Sequence, residues 1–128
     1  MTQMLQIYKC NICGNVVEVL HAAKGRLVCC GKPMELIVEH DGSETNEKHT
    51  PVIEKTEDEI VVRVGATPHV MEEEHYIEWI DVITDSGVFR KFLNPRDKPE
   101  AVFRVDPARI TKVRAYCSIH GIWSSGPL

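Results

Sequence analysis

Beyond residue 58 the chain alternates apolar and polar positions in short bursts, with the two-residue period of strands and no sustained helical period. Residues 59–64 are a β-branched run, and residues 76–83 are a longer aromatic and β-branched one. Asp85-Ser86-Gly87 then predicts a hairpin turn into residues 88–93. Two further strands are predicted over 101–105 and 112–117. In them Ala101, Phe103, Val105, Val113, Ala115 and Cys117 share one face, with Arg104, Lys112 and Arg114 opposite. Pro95, Pro99 and Pro107 punctuate the connections. This pattern predicts an all-β domain, an antiparallel β-sandwich of immunoglobulin-like kind.

The first 36 residues read differently. Short β-like runs at 16–20 and 26–28, joined by a turn near Lys24-Gly25, lie between two cysteine pairs, Cys10-x-x-Cys13-Gly14 and Cys29-Cys30-Gly31. Four thiolates suit one tetrahedral zinc or iron ion, and a module this small needs such a cross-link to fold. The second pair has no spacer, whereas zinc ribbons ordinarily use two intervening residues, so the local backbone must be distorted. A polar, turn-rich stretch at 39–46 marks the boundary, giving expected domains of 1–36 and 37–128.

Composition narrows the class. Of 128 residues 43% are hydrophobic, enough for a real core, and no apolar run is long enough to span a bilayer. No export signal is visible at the N-terminus, so the expectation is a cytoplasmic protein without a membrane association. Clustered cysteines there are metal ligands rather than disulfides. The net charge of -4 argues against nucleic-acid binding, and the acidity lies in the larger domain. An anionic substrate would therefore need a local cation at its site.

Six histidines are present. His21 and His40 are expected at the surface, while His49, His69, His75 and His120 lie in loops or at strand ends of the larger domain. Singly, each is most simply a solvated loop residue. Together with Cys117, in the sequence Cys117-Ser118-Ile119-His120-Gly121, they offer imidazoles and one thiolate of the kind that suits iron, copper, zinc or nickel.

The cysteine module resembles the desulforedoxin type, in which one iron is held as Fe(Cys)4. The whole chain resembles desulfoferrodoxin, the two-iron class of superoxide reductase. The resemblance runs through Glu47-Lys48-His49, Gly65-Ala66, His69, Met71-Glu72-Glu73, His75-Tyr76-Ile77, Trp79-Ile80 and Cys117-x-x-His120-Gly121. Ser118 departs from the Asn often found there in the family. The resemblance implies an Fe(Cys)4 module holding its ion through Cys10, Cys13, Cys29 and Cys30. It implies a second, Fe(His)4Cys centre with His49, His69, His75 and His120 as equatorial ligands and Cys117 as the axial thiolate. It further implies Lys48 as the cation that attracts superoxide, Glu47 as the sixth ligand of the ferric state, rubredoxin or a similar small redox protein as electron donor, and a homodimer. Glu72, Glu73 and Glu74 read as a solvated acidic loop, and Trp79 and Trp123 as core or rim aromatics. The competing readings are a structural zinc module without catalysis, an iron electron-transfer protein, and a superoxide dismutase.

Overall fold

The computed structural model describes residues 1–40, 49–65 and 68–125. The chain divides into two compact units, Met1–Val38 and Glu39–Leu128. In the first, β1 (Ile7–Lys9) and β2 (Val16–Glu18) pair antiparallel, and β3 (Val28–Cys29) and β4 (Lys32–Pro33) form a two-stranded ribbon. β5 (Glu35–Leu36) adds to the other edge of β1. Ile7, Cys10 and Val19 are buried here, while Met4, Leu20, Val28 and Val38 are exposed. So little buried surface leaves much of the folding free energy to whatever the cysteines hold.

The second unit contains β6 (Glu39–His40), β7 (Pro51–Lys55), β8 (Ile60–Val64), β9 (Ile77–Thr84), β10 (Val88–Phe92), β11 (Glu100–Phe103), a 3-10 turn (Pro107–Arg109), β12 (Ile110–Cys117) and β13 (Gly121–Ser125). They form a five-stranded sheet in the order β10-β9-β12-β13-β6 and a three-stranded sheet in the order β11-β8-β7. The two sheets share one core. Ile60, Val62 and Val64 of β8 and Ala101 and Phe103 of β11 pack with Ile80 and Val82 of β9 and Val113, Ala115 and Cys117 of β12. Ile60, Val62, Ile80, Val82 and Val113 are completely buried, each worth about 1.5–3 kcal/mol relative to exposure. The architecture is thus an all-β sandwich. Among the described residues, the one strand pairing that is not antiparallel is β13 with β6, where Trp123 lies opposite His40.

Three strands of the larger unit had no clear signal in the sequence. β7 buries only Pro51 fully, so it lacks alternation; β13 opens on Gly121; and β6 is two residues of the stretch read as a polar boundary. The remaining residues of that stretch lie outside the described residues. Two register shifts between β9 and β12, at Ile110/Lys112 and at Tyr116/Cys117, each admit an extra residue. Because side chains alternate faces, one extra residue flips the parity. Ile77 and Ile80 therefore both reach the core, as do Ile110 and Val113. The shift at Tyr116/Cys117 leaves Cys117 directly opposite Ile77, at the edge of the core where the loops converge.

The outer face of the five-stranded sheet carries a charge cluster. Asp81, with no exposed surface, accepts hydrogen bonds from Arg90 Nη2 and Arg114 Nε, each at 2.8 Å. Arg114 is itself buried. Beside it Trp79 stacks on Tyr116 at 4.4 Å, and Arg90 lies over the Trp79 ring. These contacts tie β9, β10 and β12 together immediately behind the strand end that presents Cys117.

Candidate metal centres

In the first unit the sulfur atoms of Cys10, Cys13, Cys29 and Cys30 all lie within 4.8 Å of one another. Gly14, at a φ of 85°, turns the first knuckle, with Gly14 N–H donating to the Cys10 carbonyl at 3.0 Å. The backbone N–H groups of Ile12 and Cys13 both donate to Cys10 Sγ at 3.4 Å. The adjacent pair is accommodated by a left-handed residue, Cys30 at φ 53°, followed by Gly31 at φ 76°. That is the local distortion the missing spacer requires: two consecutive left-handed residues swing Cys30 Sγ to within 3.9 Å of Cys29 Sγ, which is itself 3.6 Å from Cys13 Sγ.

The electrostatics of this cluster favour a cation. The N–H groups of Cys13 and Ile12 bring the Cys10 thiol down to about 6, whereas hydrogen bonding to Cys13 and to Cys29 pushes Cys30 up to about 12. Cys29 is raised as well, first by Cys13. Four crowded sulfurs cannot all ionise side by side unless a positive ion sits among them. The donor set fits a mononuclear Fe(Cys)4 centre.

The second cluster is built by four separate segments of the larger unit. His49 precedes β7, His69 follows β8, and His75 precedes β9. Cys117 and His120 flank the turn between β12 and β13. The donor atoms of His49, His69, His75 and Cys117 lie within 4.8 Å of one another. His120 completes the group, with Nδ1 3.0 Å from His49 Nε2 and 3.7 Å from Cys117 Sγ.

The imidazole contacts close on themselves. Ring centroids are 4.7 Å apart for His49 and His69, 4.9 Å for His69 and His75, 5.0 Å for His75 and His120, and 4.7 Å for His120 and His49. Every neighbouring pair is steeply inclined, at 66° to 90°. Four rings therefore stand at the corners of a square. Cys117 Sγ is 3.5 Å from His69 Nε2 and 3.7 Å from His120 Nδ1, two opposite corners, which places the sulfur near the axis of the square.

Three observations test whether this arrangement fits a metal. His75 Nε2 is buried and has no hydrogen-bond partner among the described residues, so it needs an electron-pair acceptor. His69 Nδ1 lies 2.6 Å from the Val70 carbonyl, the outward hydrogen bond that fixes a ligand tautomer and leaves Nε2 facing inward. Two nitrogens bound at right angles about 2.1 Å from one ion stand about 3.0 Å apart, and His49 and His120 have that separation. The geometry also selects the atoms: Nε2 from His49, His69 and His75, but Nδ1 from His120. The residues fit one ion held as Fe(His)4Cys.

Burial brings His49 down to about 4, with His69, His120 and His75 adding to the effect, so it is a neutral donor at pH 7. Burial pushes the Cys117 thiol up, against backbone N–H bonds from His120 and Ile119 that lower it. Cys117 becomes a thiolate only when a cation arrives.

Of the other residues singled out in the sequence, Glu72, Glu73 and Glu74 are exposed. A tight turn in which Glu72 and His75 exchange backbone hydrogen bonds at 2.9 and 3.1 Å presents His75. Ser118, the departure from the usual Asn, accepts a hydrogen bond from Tyr76 N–H at 3.1 Å through its hydroxyl. Its own N–H donates to the Tyr76 carbonyl at 3.0 Å. The loop of Cys117 is thereby laced to the loop of His75. His40, expected to be an unremarkable surface residue, is half-buried and stacks on Trp123. Glu47 and Lys48 lie outside the described residues.

The chain that carries both clusters matches known proteins over most of its length. The family described as Desulfoferrodoxin matches residues 41–126, and Desulfoferrodoxin, N-terminal domain, matches residues 2–37. The chain belongs to the desulfoferrodoxin family. It is 54% identical over 126 residues to a desulfoferrodoxin homolog of Archaeoglobus fulgidus, covering 98% of this chain and 100% of that one. It is 49% identical over 125 residues to the desulfoferrodoxin of Nitratidesulfovibrio vulgaris, covering 98% of each. Among solved structures, the superoxide reductase from Treponema pallidum superposes with a TM-score of 0.77 at 26% identity, covering 94% of this chain and 96% of that one. Within this family, the Ser118–Tyr76 lacing and the His40–Trp123 stack are features of this chain that its own sequence did not announce.

Proposed function

We propose that this protein is a superoxide reductase, which converts superoxide, one electron and two protons to hydrogen peroxide. The observation that carries this reading is the closed square of His49, His69, His75 and His120 with Cys117 Sγ on its axis, in a chain of the desulfoferrodoxin family. Iron bound there would supply the one-electron chemistry, cycling between ferrous and ferric forms, with a position open to a small anion.

The protein's own groups set the conditions for that chemistry. Neutral imidazoles contribute no charge, so a single thiolate leaves the ferrous site positive and attractive to an anion. Cys117, buried with its sulfur near the axis of the square, would hold the iron as a thiolate and supply electron density that makes an electron easier to give up. Backbone N–H groups of His120 and Ile119 directed at Cys117 temper that donation. Lys48, adjacent in sequence to His49, is the local cation that an acidic domain otherwise lacks, and it draws superoxide inward. Glu47, next to Lys48 in the sequence, would supply a further carboxylate ligand to ferric iron.

The remaining parts of the reading follow from the same family. The units read as 1–36 and 37–128 divide the labour. The Fe(Cys)4 module takes electrons from a small carrier such as rubredoxin, and the sandwich reduces superoxide. The exposed apolar side chains of the small module, Leu20 at 74% and Val28 at 59% among them, support a homodimer through that module. None of the helices among the described residues is long and apolar enough to cross a membrane, and we place the protein in the cytoplasm.

The deciding experiment adds a known pulse of superoxide to anaerobically reduced protein and assays peroxide and dioxygen. The expected result is one peroxide per superoxide consumed, with no dioxygen. Half as much peroxide with matching dioxygen would mean dismutation. No acceleration would return the chain to an electron carrier or a structural metal module.

A further inference from the structure

We infer that Trp123 is a positioning residue for the histidine–cysteine centre, holding the ring of His49 and the backbone of His120 with one side chain. The inference rests on the reading that the square binds iron. Trp123 is the third residue of β13, opposite Ala115 on one side and His40 on the other. Its indole stacks on two imidazoles in nearly parallel planes: His40 at 4.3 Å and 24°, and His49 at 5.0 Å and 21°. The indole Nε1–H turns back along the chain and donates to the His120 carbonyl at 3.1 Å. A single buried side chain thus touches two neighbouring corners of the square, the two whose nitrogens are 3.0 Å apart.

Each contact constrains a freedom that matters to a ligand. Rotation of an imidazole about its Cβ–Cγ bond is soft, because that torsion has broad wells. A flat indole face packed against His49 removes most of it. His120 is exposed at the tip of a turn that runs into Gly121 at φ 81°. Pinning its carbonyl sets the peptide plane from which Nδ1 must aim. A donor set holds an ion well only when its atoms are kept within roughly 0.5 Å and 10–20° of the productive geometry. His40, stacked on the same indole at 4.3 Å, helps hold the ring in that plane.

Filling core space would need only volume. It would not need the indole plane parallel to a ligand ring, nor its N–H on a ligand's own carbonyl. The two roles separate in their effects. A residue that only fills space stabilises the metal-free and iron-loaded protein equally; a positioning residue widens the gap between them, since that gap reports binding to the native state.

The test uses the full chain, with ferrous iron added anaerobically to wild type, Trp123→Phe, Trp123→Leu and His40→Ala. Thermal midpoints are measured with and without iron, and ferrous affinity is measured by chelator competition, with the iron of the cysteine centre as internal reference. Trp123→Leu is expected to weaken iron binding at the histidine–cysteine centre about 10–100-fold, as for other outer-shell partners of ligands. It should also narrow the gap between the midpoints. Trp123→Phe keeps a ring against His49 but loses the N–H, and falls between wild type and the leucine variant; it also serves if the leucine variant does not fold. His40→Ala shifts affinity in the same direction by less. Equal losses in both midpoints with affinity unchanged in a loaded series would overturn the inference alone. A wild type that takes up no iron at this centre would overturn the proposed function and the inference with it.

Discussion

Replacing Ser118 by alanine tests whether the loop of His75 is held by the loop of Cys117. The substitution removes a hydroxyl that accepts from Tyr76 N–H at 3.1 Å and points toward the Glu74 carbonyl at 3.5 Å. The main-chain bond from Ser118 N–H to the Tyr76 carbonyl stays. Tyr76 N–H is then half-buried without its acceptor, a loss of about 1–2 kcal/mol within the range for an orphaned backbone group. That energy falls on one turn rather than on the whole sandwich, so it raises the population of locally open states about 5–30-fold. His75 leaves the square in those states. Hydrogen exchange of the 72–77 amides and iron release to an excess of chelator should both accelerate by that factor. Release from the cysteine centre should not change, and Ser118→Thr, which keeps a hydroxyl, should restore the slow rate. Faster exchange with unaltered iron release would mean that the His75 loop opens without loosening the ion. Equal acceleration at both centres would mean that the effect is global. The first result refutes the link from the lacing to the ion, and the second refutes the lacing as a local restraint.

Other perturbations probe other links. Cys117→Ser should abolish superoxide reduction even where metal is retained, since an axial oxygen donates far less electron density; activity surviving in a metal-loaded variant would remove the axial role. Lys48→Ala should slow superoxide capture, with a weaker salt dependence than wild type in stopped-flow measurements at several ionic strengths. Asp81→Ala removes the buried carboxylate that pairs with Arg114 and Arg90, and should cost about 3–5 kcal/mol in denaturant unfolding. The metal-free protein should also lose stability as pH falls. His49 titrates at about 4 when folded against an ordinary 6.5, so between those values the unfolded chain takes up a proton that the folded one refuses. The loss begins near 6.5, levels off below about 4 and reaches at most about 3 kcal/mol. A flat metal-free stability profile across that window would contradict the burial of His49.

Much of the fold was legible because alternation is a local signal. β8, β9, β10, β11 and β12 all fall within a residue or two of the runs that predicted them. β7 was not, because only Pro51 in it is fully buried and the remaining side chains carry no period. The bulges that flip Ile77 against Ile80 cannot be read from a strand alone, since they are properties of its pairing with β12. The cysteine cluster was visible through spacing, but the left-handed backbone at Cys30 that makes adjacency workable was visible only as a difficulty. The histidines could be grouped by resemblance, not by any periodicity, because their loops are brought together by sheet topology. Ser118 and Trp123 carried no signal of their own: each acts on a partner that only tertiary structure supplies.

The distribution of the square along the chain has a consequence for assembly. His49 comes alone, His69 and His75 come as one pair, and Cys117 and His120 as another, with the last corner 71 positions after the first. A contiguous piece ending at His75 carries three of the five donors, and the set is complete only once the turn between β12 and β13 has joined it. The cysteine cluster needs only residues 10–30 and can close early, while the larger centre forms last. A reactive ion is thereby kept off nascent, frayed or proteolysed chains, which could shed it into a solution containing the peroxide this enzyme makes. Iron occupancy at the second centre is a proofreading mark: a molecule that carries it has already folded.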